Sequence, residues 1–236
     1  MTNCSQLRMI KWFKDQTRSR IFIDADDTIW HDSKYFRTLR SDLLHLCSLC
    51  AQDGHSILQR LNENLMKCGL GETEFAKAIN ITAHELGISK INQDILNCSI
   101  ELFLHHEIEL ISHAEEALGR MSKFHCILLT KGNEREQKEK LYRSKLEQYF
   151  DKVIIVARKD PEFFELLVQQ MSLNANQIIV IGNSVRHDIL PAVKIGAPAI
   201  WLNHPDNEHG RNEELPREAC EVEGWKAIVN ALDDVG

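Results

Sequence analysis

Ile21-Phe22-Ile23-Asp24-Ala25-Asp26-Asp27-Thr28 decides how the rest of this chain reads. A run of β-branched and aromatic residues is the pattern of a buried strand. Here the run ends in Asp24 and Asp26, two positions apart, with the Thr28 hydroxyl following. A strand end is rigid, so both carboxylates are aimed from one edge of a sheet into the space beyond it. Acid belongs in such a place when a cation or a reacting group shares it.

Working outward, further apolar runs end in small, polar or charged residues. Cys126–Leu129 runs into Thr130, Val153–Val156 is followed by Arg158-Lys159-Asp160, Ile178–Ile181 runs into Gly182-Asn183, and Ala199–Leu202 leads into Asn203. Helical spacing fills the gaps. Glu134–Leu146 is charged and glycine-free, Pro161–Met171 opens with a proline suited to a first turn, and Pro191–Ile195 stops at Gly196. Short strands alternating with helices imply an α/β domain with a parallel sheet, whose ligand crevice lies at the carboxyl ends of the strands. The polar residues above all fall at those ends.

The stretch from about Asp32 to Ile111 lacks strand-like runs. Leu39, Leu43, Leu46 and Cys50 share one helical face; Ile57, Leu61 and Leu65 share another, stopped near Gly69. Ala76, Ile79, Ala83 and Leu86 form a third, stopped at Gly87, and Ile95, Ser99, Leu102 and His106 a fourth. This predicts an all-helical insert at 33–111, between the first and second strands. The catalytic core is then 20–32 together with 112–236, preceded by an N-terminal extension, 1–19. No internal repeat or low-complexity segment interrupts this plan.

Composition narrows the function classes. At 236 residues the chain can bury a sizeable core, and its 43% hydrophobic and 27% charged residues are ordinary for a globular protein. A net charge of -7 gives no basis for nucleic-acid binding. No apolar stretch reaches membrane-spanning length, and the polar, basic start of the chain has no signal-peptide core. Seven scattered cysteines then suit free thiols in a reducing cytoplasm. Cys47 and Cys50 have no second Cys or His pair to complete a zinc site and read as core thiols. Arg8, Lys11, Lys14, Arg18 and Arg20, interleaved with Ile10, Trp12 and Phe13, suggest a short amphipathic helix that packs on its own domain.

The strand ends carry a coherent chemistry. Asp24 is a candidate nucleophile, and Asp26 a candidate acid for a leaving group and then base for water. Asp188, in Gly182-Asn183-Ser184-Val185-Arg186-His187-Asp188, offers a second carboxylate to a divalent ion such as Mg²⁺, which takes hard oxygen ligands. Thr130 offers a hydroxyl and Lys159 a point charge to a phosphate. Taken singly, each has a plainer reading: Asp-Asp-Thr as a turn, Thr130 as a cap, Lys159 as a solvated charge, Asp188 as a helix N-terminal acid.

In order and spacing these residues resemble the haloacid dehalogenase-like superfamily. Asp24-Ala25-Asp26-Asp27-Thr28 matches its first motif, Thr130 the second, Lys159 the third, and Gly182 through Asp188 the fourth. Lys159 is preferred over Arg158 because it precedes Asp160-Pro161 and the Phe163-Phe164 helix, as in relatives. The resemblance implies a Rossmann-like core and Mg²⁺-dependent hydrolysis of a small phosphorylated metabolite through an aspartyl-phosphate. It also implies that the helical insert is a C1-type cap. The ion would be held by Asp24, the Asp26 backbone carbonyl and Asp188. Asn183, where many relatives have an acid, would ligate directly or through water. Backbone amides around Ala25, Asp26 and Lys131 would help Thr130 and Lys159 hold the phosphate. His31, in the position of a mobile flap, becomes a substrate-contact candidate, and Trp30 a packing residue. Dehalogenases of the superfamily share the nucleophile, need no metal and typically lack the second acid; Asp26 therefore favours the phosphatase. A non-catalytic binding module on the same fold is opposed by the completeness of the first three motifs.

Overall fold

The computed structural model describes residues 4–15, 17, 20–49, 53–69, 71–205, 207 and 213–235. Two compact units divide the chain: 1–31 with 109–236, and 32–108.

The first unit is built on a parallel sheet. Among the described residues its strands are β1 (Arg20–Ile23), β2 (His125–Lys131), β3 (Lys152–Val156), β4 (Ile178–Gly182), β5 (Ala199–Leu202) and β6 (Cys220–Val222), in the order β3-β2-β1-β4-β5-β6. Every apolar run picked out by the sequence is a strand. β6 was not anticipated, because three residues are too few to display a period. In register, Ile23 pairs with Leu128 on one side and Ile181 on the other, so β1 is the central strand. The order of the strands reverses beside it, which is where an open α/β sheet offers a crevice at its carboxyl edge. Phe22, Ile127, Leu129, Val180 and Trp201 bury one face of the sheet together with Phe164, Ile189 and Ala192.

The N-terminal helix α1 (Cys4–Lys14) docks on this unit: Met9 and Phe13 are buried, the Phe13 ring lies 5.8 Å from that of Phe124, and Arg8 donates to the carbonyls of Arg217 and Ala219. Its amphipathic pattern is therefore met by its own domain; Arg18 lies outside the described residues.

The second unit is helical: α2 (Ser33–Ser48), α3 (Gly54–Cys68), α4 (Glu72–Glu85) and α5 (Lys90–Leu104). Leu39, Leu43, Ile57, Leu61, Ala76, Ile79 and Ala83 bury the expected faces; Cys47 is buried with them, and Cys50 lies outside the described residues. The face assigned to α5 needs correction. Ile95 and Leu102 point outward, 49% and 74% exposed, while Leu96 and Phe103 are buried. Both pairs have the same seven-residue spacing, one position apart, so periodicity alone could not choose. Phe103 packs edge-on against Phe36 at 4.9 Å and near Phe75 at 5.7 Å, and this aromatic cluster sets the rotation of the helix.

The first unit continues with α6 (Ala114–Arg120), α7 (Glu134–Ser144), α8 (Pro161–Gln170), α9 (Leu190–Lys194) and α10 (Trp225–Asp233). Ahead of α9 the chain makes a wide π-turn at Val185–Ile189, with the Ile189 amide donating back to the Ser184 carbonyl at 3.2 Å. Such turns recur at functional sites.

Candidate active site

The chain after β1 is clamped on all sides. The Asp24 amide donates to the Ile181 carbonyl of β4 at 2.9 Å, extending the ladder one residue past the strand. The Thr28 and Ile29 amides both donate to the Ala25 carbonyl, and Asp27 takes a left-handed conformation at φ 53°. Trp225 Nε1 donates to the Thr28 carbonyl at 2.6 Å and His204 Nε2 to the Asp27 carbonyl at 2.9 Å. Few freedoms remain to the two carboxylates.

Asp24 faces β4 and the loop after β3. Lys159 Nζ donates to Asp24 Oδ1 and, at 2.8 Å, to Asp188 Oδ1. Asp188 Oδ2 accepts from the Ser184 amide at 3.0 Å, which the π-turn makes possible by folding Asp188 back over the end of β4. Gly182 is required there: a Cβ on it would lie 2.4 Å from Asp188 Oδ2. The Thr28 hydroxyl lies 3.1 Å from Asp24 Oδ2 and 3.3 Å from Asn183 Oδ1, and accepts from the Asn183 amide at 3.1 Å. Asn183 is held in turn by Asn207 and by Trp201 Nε1, which donates to its carbonyl at 2.8 Å. Lys159, Asp188, Asn183 and Thr28 are all buried. Arg158 instead lies on the surface, paired with Asp160 at 3.0 Å.

Asp26 faces α7. Among the described residues its carboxylate receives Lys140 Nζ at 2.9 Å and Trp30 Nε1 at 2.8 Å on Oδ1, and Gln137 Nε2 at 2.6 Å on Oδ2. Gln137 Oε1 accepts from the Thr130 hydroxyl at 3.4 Å, linking the end of β2 into the same chain. Trp30 thus does more than pack. Lys131, at the last position of β2, is exposed and lies outside both clusters, as does His31, whose ring sits 3.9 Å from Glu109 and edge-on to His204.

A haloacid dehalogenase-like hydrolase family model matches residues 19–196, which spans β1 through α9 and every residue of the two clusters except Asn207 and Trp201. The chain belongs to this family. A haloacid dehalogenase-like hydrolase from Xanthomonas campestris is similar in structure at 29% identity and a TM-score of 0.73, over 91% of this chain and 96% of that one. A glyceraldehyde 3-phosphate phosphatase from Pyrococcus abyssi is 25% identical over 112 residues, 45% of this chain and 47% of the relative, so the match spans about half the length of that curated protein. A 2-haloacid dehalogenase from Pseudomonas syringae shares the fold at 19% identity and a TM-score of 0.59, over 91% of this chain and 98% of that one.

Charge in this hydrolase's site is unevenly matched. Asp24 and Asp188 share one ammonium. Burial first, then the Asp188 carboxylate, push Asp24 up to about 7 despite the pull of Lys159. Burial works against the charge of Lys159 too, yet Asp188 and Asp24 together hold its ammonium above the ordinary lysine value. Burial also presses on Asp26, but there Lys140, Trp30 and Gln137 outweigh it and keep the carboxyl below its usual value. Two carboxylates thus meet a single ammonium on the Asp24 side. The donors present, two carboxylates and the Asn183 amide oxygen, are the hard oxygens that Mg²⁺ takes. Among the described residues no group of three His, Cys, Asp or Glu side chains is arranged to hold an ion, so water, carbonyl or substrate oxygens must complete any shell here. The Asp26 side chain is taken up by its donors.

Gln137 and Lys140 are absent from the sequence-derived site. A signal existed: Gln137, Lys140, Leu141 and Ser144 lie at the spacing of a buried helical stripe, two of its members being long and polar.

Proposed function

We propose that this hydrolase cleaves a small phosphomonoester through an aspartyl-phosphate on Asp24, with Mg²⁺ as cofactor. The observation that carries the reading is Asp26, a second carboxylate held by Lys140, Trp30 and Gln137 beside the first. A departing alkoxide needs a proton and a departing halide does not, so this investment in the second acid favours phosphate esters over 2-haloacids. Likeness to a phosphatase over part of the chain supports the same choice.

In the first step an Asp24 oxygen attacks phosphorus and the bond from phosphorus to the leaving oxygen breaks, while Asp26, having taken up a proton from solvent as the anionic substrate binds, passes it to the leaving oxygen to give an alcohol and returns to the carboxylate. In the second a water oxygen attacks the same phosphorus while Asp26 takes a proton from it. The bond to Asp24 breaks and inorganic phosphate leaves. The donors around Asp26 keep it ionised at rest, the state the second step requires. Asp24, Asp188 and the Asn183 and Asp26 oxygens would hold Mg²⁺, which would supply the positive charge that lets an anionic nucleophile meet an anionic phosphate. Lys159 and Thr130 hold phosphate oxygens, with help from the Lys131 amide, and His31 contacts the remainder of the substrate.

We read the insert at 33–111 as a cap that screens substrates, in line with its position directly after the nucleophile. Cys47, Cys68, Cys98, Cys126 and Cys220 are not joined in disulfides, which suits a reducing cytoplasm, and among the described residues no helix is long and apolar enough to cross a membrane.

The test is phosphate release from p-nitrophenyl phosphate, then from a panel of phosphorylated metabolites that begins with glyceraldehyde 3-phosphate. Release that requires Mg²⁺ is expected. Metal-independent halide release from 2-haloacids, without phosphate release, would replace this reading with the dehalogenase.

A further inference from the structure

α7 reads in sequence as a charged surface helix, yet it buries a stripe in which Gln137 and Lys140 are polar. Lys140 is only 4% exposed. Burying an ammonium is unfavourable unless it is paired, and a leucine would anchor the helix at lower cost. Both polar members of the stripe donate to the same carboxylate, that of Asp26. They engage different oxygens, with Trp30 adding to one of them, so the plane of the carboxylate is held as well as its position. Gly132 makes room for this, since a Cβ there would meet Gln137 Nε2 at 3.0 Å.

We infer that Lys140, assisted by Gln137, is a positioning residue for Asp26. It orients the carboxylate toward the oxygen of the leaving group and touches neither phosphorus nor substrate. The link from Gln137 to the Thr130 hydroxyl ties this orientation to the end of β2. The inference rests on the phosphomonoesterase reading above.

A pair of substrates with the same ring separates positioning from mere support of the fold. Phenyl phosphate has a poor leaving group that needs a proton; p-nitrophenyl phosphate has a good one that hardly does. kcat/KM covers the steps up to loss of the leaving group, so slow hydrolysis of the phosphoenzyme does not enter it. In Lys140→Met the ratio of kcat/KM for p-nitrophenyl over phenyl phosphate should rise at least about tenfold. Lys140→Arg should bring the ratio back to within about threefold of wild type. Asp26→Asn should raise it similarly, and adding Lys140→Met to Asp26→Asn should raise it no further. Should Lys140→Met fail to fold, Gln137→Leu carries the test in the same direction with a smaller rise. An unchanged ratio, or a further rise in the double variant, overturns the inference while leaving the phosphatase reading intact. A wild-type protein that hydrolyses neither ester overturns both.

Discussion

Asp24 and Asp26 leave the same strand two residues apart, and their surroundings treat them in opposite ways. Asp24 shares one ammonium with a second carboxylate and is pushed up to about 7 by burial and by Asp188. Asp26 accepts from an ammonium, an indole and an amide, and is held low against its own burial. Identical side chains at neighbouring positions thus acquire different work from what packs against them. On the Asp24 side two carboxylates meet one ammonium; on the Asp26 side one carboxylate meets three donors.

The largest effect should come from Asp24→Asn. It keeps the shape and removes the nucleophile, so phosphate release should fall by about a thousandfold or more while circular dichroism and the unfolding midpoint stay near wild type. Retention of most of the activity would show that the two acids do not divide the work as described.

Next is Lys159→Met, which leaves two buried carboxylates facing each other. Removing one partner of a buried pair destabilises by about 3–5 kcal/mol, and Mg²⁺ should restore part of this by binding the folded state. Urea unfolding with and without Mg²⁺ reads both. A loss that the ion does not reduce would count against a cation on the Asp24 side.

The smallest effects come from two glycines, one beside each acid. Gly182→Ala places a Cβ 2.4 Å from Asp188 Oδ2, at the tightly packed end of β4, and should destabilise by about 1–3 kcal/mol. Gly132→Ala meets the Gln137 side chain at 3.0 Å and puts an alanine at φ 156°, and should cost about 1 kcal/mol. Equal losses in urea unfolding would mean that the two sides are equally rigid.

Much of this was legible in the sequence because its signals are local. A buried strand in a parallel sheet is a continuous apolar run, so β1 through β5 declared themselves, and so did the polar residues at their ends. Lys159 could be told from Arg158 only by resemblance; in the structure one is buried between carboxylates and the other pairs on the surface. The rotation of α5 was not legible, since two apolar pairs with equal spacing competed and the Phe36–Phe75–Phe103 cluster chose between them.

The sequence by itself determined the parallel sheet, the helical insert and the row of acids, hydroxyl and lysine along one sheet edge. These follow from period and chain order, which belong to each segment alone. Only the tertiary structure decided what each acid faces. Lys140 is 114 residues from Asp26, and Lys159 is 135 from Asp24. The helical spacing of Gln137, Lys140, Leu141 and Ser144 sets Lys140 apart from Lys138, which stays on the surface and pairs with Glu134, but it does not say which carboxylate Lys140 meets. Folding α7 onto the end of β1 makes one of these lysines part of the site, because electrostatics depends on distance in space and not on distance along the chain.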